Sequence, residues 1–141
     1  MYNWYAVKGI VIEGSTSYKN LCPSGWHIPS DAEWTTLTNR LEGEGVAGGK
    51  MKSSGTTNWN SSNTEATNES GFSALPGGFR DGGSIFDGSF YSIRDIAFFW
   101  SANEINYFVA WYRVLYKHIG NVERTSYYNK SLGASVRCLR D

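Results

Sequence analysis

Tyr, Phe, Trp, Asn, Ser and His crowd the stretch from Trp100 to Cys138, WSANEINYFVAWYRVLYKHIGNVERTSYYNKSLGASVRC. Aromatic rings with polar tips give rigid contact area at low entropic cost, and small polar side chains add adaptable hydrogen bonds. The chemistry this mixture suits is recognition. Within it, residues 109–116 alternate so that Val109, Trp111, Arg113 and Leu115 fall on one side of a strand. Ala110, Tyr112, Val114 and Tyr116 fall on the other. Val122 to Tyr128 alternates likewise, with Val122, Arg124 and Ser126 opposite Glu123, Thr125 and Tyr127. As antiparallel neighbours, the two strands would bring Tyr112, Val114, Tyr116, Glu123, Thr125 and Tyr127 to one side of a small sheet.

The candidate ligand-binding residues are therefore Tyr107, Phe108, Tyr112, Val114, Tyr116, His118, Glu123, Thr125, Tyr127 and Tyr128. Exposed aromatic clusters usually mark interaction sites; the competing use of the same rings is to cover a second hydrophobic layer. On the recognition reading the tyrosines flanking Arg113 point to solvent. Replacing Tyr112 and Tyr116 together by alanine would then abolish binding and leave the thermal midpoint nearly unchanged.

Other chemistries have thinner support. His27 and His118 have no neighbouring Cys or second His, so neither has partners for ligation or base catalysis. Cys22 and Cys138 form no CxxC and no Cys/His cluster, which argues against zinc. Paired, they would close a loop of about 115 residues, worth about 4–5 kcal/mol in chain-entropy terms. Unpaired, they would be two buried thiols in a reducing compartment. Asn58, Asn60, Asn63, Glu65, Asn68 and Glu69 make an oxygen-rich loop that could hold a structural calcium ion or hydrogen-bond its own backbone. No metal or cofactor is assigned. No GxSxG, P-loop, HExxH or GxGxxG is present. Glu42 and Glu44 read as solvated charges at a helix end, not as a glycosidase pair. The expectation is a protein without catalytic activity.

The scaffold for such a face must come from 141 residues, read as a single domain over 1–141. That length buries a real core. Thirteen basic residues balance thirteen acidic ones, so the excess of positive charge that nucleic acid or an anionic membrane would attract is missing. Aromatics at 16%, charged residues at only 18% and 16 glycines favour a turn-rich globular chain over disorder. No run of about 18 apolar residues could span a membrane. The opening MYNWYAVKGIVIEG lacks the features of a signal peptide and reads as a strand, as in a domain cut from a longer protein.

Residues 2–12 are expected as a first strand with a turn at Gly9, and 14–20 as a polar loop. Pro23-Ser24-Gly25 makes a turn before a short extended Trp26-His27-Ile28. Ser30 and Glu33 form a capping box with Asp31 and Glu33 in the first turn. Trp34, Leu37 and Leu41 share one helical face, and Gly43 and Gly45 stop the helix. From Gly48 to Gly83 the chain is a Gly/Ser/Asn/Thr-rich loop pinned by Met51, Trp59, Phe72, Leu75 and Phe79. Leu75-Pro76-Gly77-Gly78 is a tight turn and Phe79-Arg80 a short strand. Asp87-Gly88 suggests a hairpin from Ser84 to Ile93. Phe98-Phe99-Trp100 reads as a buried strand and Gly133 to Leu139 as the last one. Trp26, Trp34, Trp100 and Trp111 are expected mostly in the core.

Taken in order, MYNWYAV, LCPSGWHIPSDAEWTTL, AGGKMKSSGTTNWNSSNTEATNESGFSALPGGFR, FWSANE, AWYRVL and NKSLGASVRCLRD resemble the Fibrobacter succinogenes major paralogous domain across nearly the whole chain. That family is similar to the formylglycine-generating-enzyme group, whose RLPTEAEWE segment HIPSDAEW resembles. The resemblance implies an α+β, C-type-lectin-like fold: small twisted antiparallel sheets, one or two helices and long ordered loops. The activity of that enzyme group needs a redox cysteine pair. Cys22 and Cys138 look structural by position, so the activity does not carry over. The lectin sugar motifs have no match, WNS at Trp59 and ANE at Ala102 being the nearest. The family also resembles variable proteins of diversity-generating retroelements, which present rewritten residues near the C-terminus on a lectin-like scaffold. That likeness implies fixed Trp111, Arg113 and Leu115, with exposed, variable Tyr112, Val114 and Tyr116. The expected partner is a protein or a glycan on a cell or phage-host surface. The expected location is extracellular, at the cell surface or on a phage virion.

Overall fold

The computed structural model describes residues 1–11, 18–82 and 88–141. In chain order the elements are a helical turn α1 (Trp4–Val7), strands β1 (Ile10–Val11), β2 (Tyr18–Lys19) and β3 (Trp26–His27), and helices α2 (Asp31–Arg40) and α3 (Glu44–Met51). Strands β4 (Phe79–Arg80), β5 (Phe90–Tyr91), β6 (Ile96–Glu104), β7 (Ala110–Tyr116), β8 (Val122–Thr125) and β9 (Leu139–Arg140) follow. The architecture is α+β. A three-stranded antiparallel sheet, β6-β7-β8, is flanked by the two-stranded pairs β1-β2, β3-β9 and β4-β5.

Period two divides the core at the central sheet. Phe98, Trp100, Ala110, Tyr112 and Val114 are buried on one face with Trp4, Val7, Leu132 and Ala134. Ala97, Phe99, Leu115 and Val122 are buried on the other with Trp34, Ala47, Met51, Trp59 and Ala74, under α2 and α3. The register places Tyr112 opposite Thr125 and Val114 opposite Glu123, so β7 and β8 are the antiparallel neighbours that the alternation required.

Helix α2 starts at the capping box. Ser30 Oγ accepts from Glu33 N, and the Glu33 carboxylate accepts from Ser30 N at 2.8 Å. Trp34 is buried, and Leu37 and Leu41 pack against its cluster. The helix is tied to the sheet by charge. Arg113, fully buried, donates to Asp31 Oδ1 at 2.8 Å and to Thr35 Oγ1 at 3.1 Å. Arg124 donates to both Asp31 oxygens and lies 3.5 Å over the Trp111 ring. Burial pushes the Asp31 carboxyl up, but hydrogen bonds from Arg124 and Arg113 outweigh it and hold the group below the usual carboxylate range.

Several elements differ from the sequence reading. Residues 2–12 are not one strand: Asn3 Oδ1 accepts from Ala6 N and caps α1, and the Trp4 indole donates to Ser101 O at 3.0 Å. Burying Trp4 against the sheet decides the conformation, and only Ile10–Val11 pairs as a strand, with Tyr18–Lys19 inside the expected polar loop. The glycine-rich segment after Gly43 opens with a helix, α3, because its glycines admit close neighbours. A Cβ on Gly48 would lie 1.9 Å from the Asn121 carbonyl oxygen, and Gly49 N donates to Gly120 O at 2.7 Å. Next to it the buried Lys52 ammonium donates to the carbonyls of Thr64, Tyr116 and Ile119 at 2.7, 3.0 and 2.9 Å, gathering three segments. Burial pushes its pKa down to about 8.

Of the loop anchors, Met51 and Trp59 are buried, Phe72 and Phe79 half-buried, and Leu75 exposed. Trp26 is 43% exposed, in contrast to buried Trp34 and Trp100 and half-buried Trp111, because β3 belongs to a two-stranded sheet with the short terminal β9. The hairpin partner of β5 is β4; residues 83–87, part of the expected Ser84–Ile93 hairpin, lie outside the described residues. Residues 133–135 make isolated bridges to Arg80, Tyr2 and Phe99, and the last regular strand is only Leu139–Arg140. Cys22 and Cys138 are joined in a disulfide across 116 positions, their Cα atoms 5.7 Å apart. Closing a loop of that length removes about 5 kcal/mol of chain entropy from the unfolded state. Such a bond belongs to an oxidising compartment. Among the described residues no helix is long and apolar enough to cross a membrane.

Candidate ligand-binding cleft

The β6-β7-β8 face that carries Tyr112 is packed at one end by α1 and residues 132–134. At the other end it forms the floor of a cleft of about 340 Å3. Ile96 and Phe98 from β6, Tyr112, Val114 and Tyr116 from β7, and Glu123 and Thr125 from β8 line it, with Phe79, Tyr127 and Tyr128 as walls. Six of these, Tyr112, Val114, Tyr116, Glu123, Thr125 and Tyr127, are the residues that the alternation brings together. The shared face stands.

Its exposure does not. Tyr112 and Val114 are each 1% exposed, and Tyr116 is half-buried. The Tyr112 ring meets Trp100 edge-on at 5.4 Å and Phe98 at 5.6 Å, and its Oη accepts from Tyr128 N at 3.2 Å. Burial pushes its phenol up to about 12. Neither Tyr112 nor Val114 faces solvent, because Trp4, Leu132 and the aromatic walls close over them. Trp111, Arg113 and Leu115 face α2, the side assigned to fixed scaffold.

The rings that reach solvent stand around the cleft. Tyr127 is 83% exposed and meets Tyr128 edge-on at 5.1 Å. Tyr128 stacks on Phe79 at 5.8 Å, and Phe79 on Tyr91 at 5.5 Å, so a series of rings runs from β5 to residue 127. Tyr107 and Phe108, 79% and 67% exposed, sit beyond it on the loop that enters β7. That loop is fastened to the 128–130 segment by the Val109–Asn129 bridge and by Lys130 N donating to Phe108 O at 2.9 Å. At the opposite end Tyr116 Oη donates to Glu123 Oε2 at 2.7 Å, and the exposed His118 ring lies 5.5 Å from the Tyr116 ring. Burial and the Glu123 carboxylate both raise the Tyr116 phenol well above its ordinary value.

A family model described as the Fibrobacter succinogenes major domain matches residues 1–140. The chain belongs to that family. No curated protein and no solved structure matches it.

In this Fibrobacter major domain, other candidate groups serve the scaffold. Asn63 Nδ2 donates to Ser53 O and Gly55 O, Asn60 Nδ2 to Asp95 Oδ1, and Asn68 Nδ2 to Ser73 Oγ. No group of three or more His, Cys, Asp or Glu side chains suited to a metal gathers among the described residues. His27 sits between Asp141 Oδ1 at 2.6 Å and Glu33 Oε1 at 3.0 Å, and those hydrogen bonds raise its imidazole above the ordinary value. Sequence reasoning missed Phe79, Ile96 and Phe98 as cleft residues. Phe79 was legible as a loop anchor and a strand residue, and its place as a wall follows from long-range packing on Phe98 and Tyr128.

Proposed function

We propose that the domain recognises a protein ligand without catalysing a reaction, through the cleft and the exposed aromatic side chains beside it. The observation that carries this reading is the band of solvent-facing rings, Tyr107, Phe108 and Tyr127, mounted on a rigid disulfide-closed scaffold. Apolar surface of that kind is costly to leave in water and is characteristic of interaction sites. The central sheet, two main helices and long hydrogen-bonded loops support a C-type-lectin-like scaffold for it. In this reading, retroelement-directed rewriting acts on positions that reach solvent, Tyr107, Phe108, Glu123 and Tyr127, and spares Tyr112 and Val114. The disulfide supports a location outside the cell, on the cell surface or a virion.

The test probes a protein microarray and a glycan array with the parent domain and with the Tyr107→Ala/Phe108→Ala variant. Protein hits that the variant loses, with no chelator-sensitive glycan hits, support the reading. Glycan hits in place of protein hits overturn it in favour of a carbohydrate-binding module. Sequencing the locus across strains tests diversification: no excess substitution at positions 107, 108, 123 and 127 removes it.

A further inference from the structure

We infer that the cleft takes the terminal ammonium of a lysine side chain presented by the protein partner, which rests on the recognition reading above. The lining contains no lysine, arginine or histidine; its one charged side chain is Glu123. Four other carboxylates hold internal cations: Asp31 holds Arg113 and Arg124, Glu33 holds His27, Asp95 holds Lys117, and Glu104 holds Lys8 and Lys130. Glu123 instead has a neutral donor, Tyr116 Oη, and no cationic nitrogen among the described residues within salt-bridge reach. The lining also carries the rings of Tyr116, Tyr127 and Tyr128, and an aromatic lining favours a cation over an anion.

Size and geometry narrow the occupant. About 340 Å3 is at the small end for a ligand pocket, enough for one inserted side chain. The half-buried Phe79, Ile96 and Tyr116 side chains of the lining offer apolar surface to a methylene stem. A guanidinium binds best as a planar fork across both carboxylate oxygens. Here Oε2 already accepts from Tyr116 Oη, so a fork would have to share that oxygen, as Arg113 and Arg124 share Asp31 Oδ1, whereas a compact ammonium needs Oε1 alone.

The test titrates 15N-labelled domain with Nα-acetyl-lysine methylamide, its Nε-acetylated counterpart and Nα-acetyl-arginine methylamide, followed by amide shifts. Expected are saturable shifts at Tyr116, Glu123, Thr125 and Tyr128 with the lysine probe, weaker ones with arginine and none with the acetylated probe. Glu123→Gln, an isosteric change at an exposed position, should weaken the lysine probe by about tenfold or more. Thr36→Ala, on the exposed side of α2 and outside the lining, should leave it unchanged. Equal binding of the acetylated probe, tighter binding of arginine, no effect of Glu123→Gln, or no saturable shift each overturn the inference. If the lysine probe fails while Tyr107→Ala/Phe108→Ala still loses protein hits, the ammonium site falls and the recognition reading survives. If the probe binds as expected while that variant keeps every hit, the ammonium site stands and the reading of the aromatic band falls.

Discussion

Tyr112 and Tyr127 line one cleft, yet their replacement by alanine should separate stability from binding. The Tyr112 ring is sealed among Trp100, Phe98 and Tyr128, at centroid distances of 5.4, 5.6 and 6.4 Å. Truncating a buried aromatic to alanine costs about 3–5 kcal/mol through lost transfer energy and the cavity left behind. For a chain of this length each kcal/mol moves the midpoint by roughly 3 °C. Tyr112→Ala should therefore melt roughly 10–15 °C below the parent. Tyr112→Phe keeps the ring and removes the acceptor for Tyr128 N and the partner of the Thr125 hydroxyl, a loss of about 1–2 kcal/mol. Tyr127→Ala, whose side chain is almost wholly in solvent, should stay within about 0.5 kcal/mol of the parent. Circular-dichroism melts of the three variants under non-reducing conditions decide it. If Tyr112→Ala melts with the parent, or Tyr127→Ala falls as far as Tyr112→Ala, the assignment of floor and rim is wrong.

Two further perturbations test the scaffold. Gly48→Ala lies inside α3, where helix propensity alone promises a gain of about 1 kcal/mol. The methyl would meet the Asn121 backbone, so the variant should instead have a lower urea midpoint than the parent, and a higher one would show that α3 does not pack there. His27 donates to Asp141 and Glu33 together only as the imidazolium, and its folded pKa is raised. Its contribution is then complete below an unfolded value of about 6.5 and lost as pH rises through the higher folded value. The gap in midpoint between the parent and His27→Gln should be widest near pH 6 and close toward alkaline pH; a gap independent of pH would remove the bridge.

What could be read in the sequence followed short-range rules. The Ser30–Glu33 capping box and the spacing of Trp34, Leu37 and Leu41 are local, and α2 formed where they indicated. Alternation in β7 and β8 correctly sorted side chains to two faces. It could not say what covers a face, so Tyr112 and Val114 were expected in solvent although distant segments close over them. The same blindness to partners hid α1 and α3. Aromatic-rich YNWYAV alternates like a strand, and the Asn3 cap yields a helical turn together with the slot for Trp4 beneath Ser101. EGVAGGKM looks like a break, and its glycines make sense only beside Asn121 and Gly120.

The Cys22–Cys138 bond also sets how the domain answers to tension. Pulled at its ends, the chain can pay out only residues 1–21 and 139–141, roughly 80 Å at full extension, before the covalent link takes the strain. The cleft and all three central strands lie inside the closed loop. A tether joined to either end would load that bond directly, but paying out residues 1–21 would first strip Trp4 and Val7 from the face that carries Tyr112.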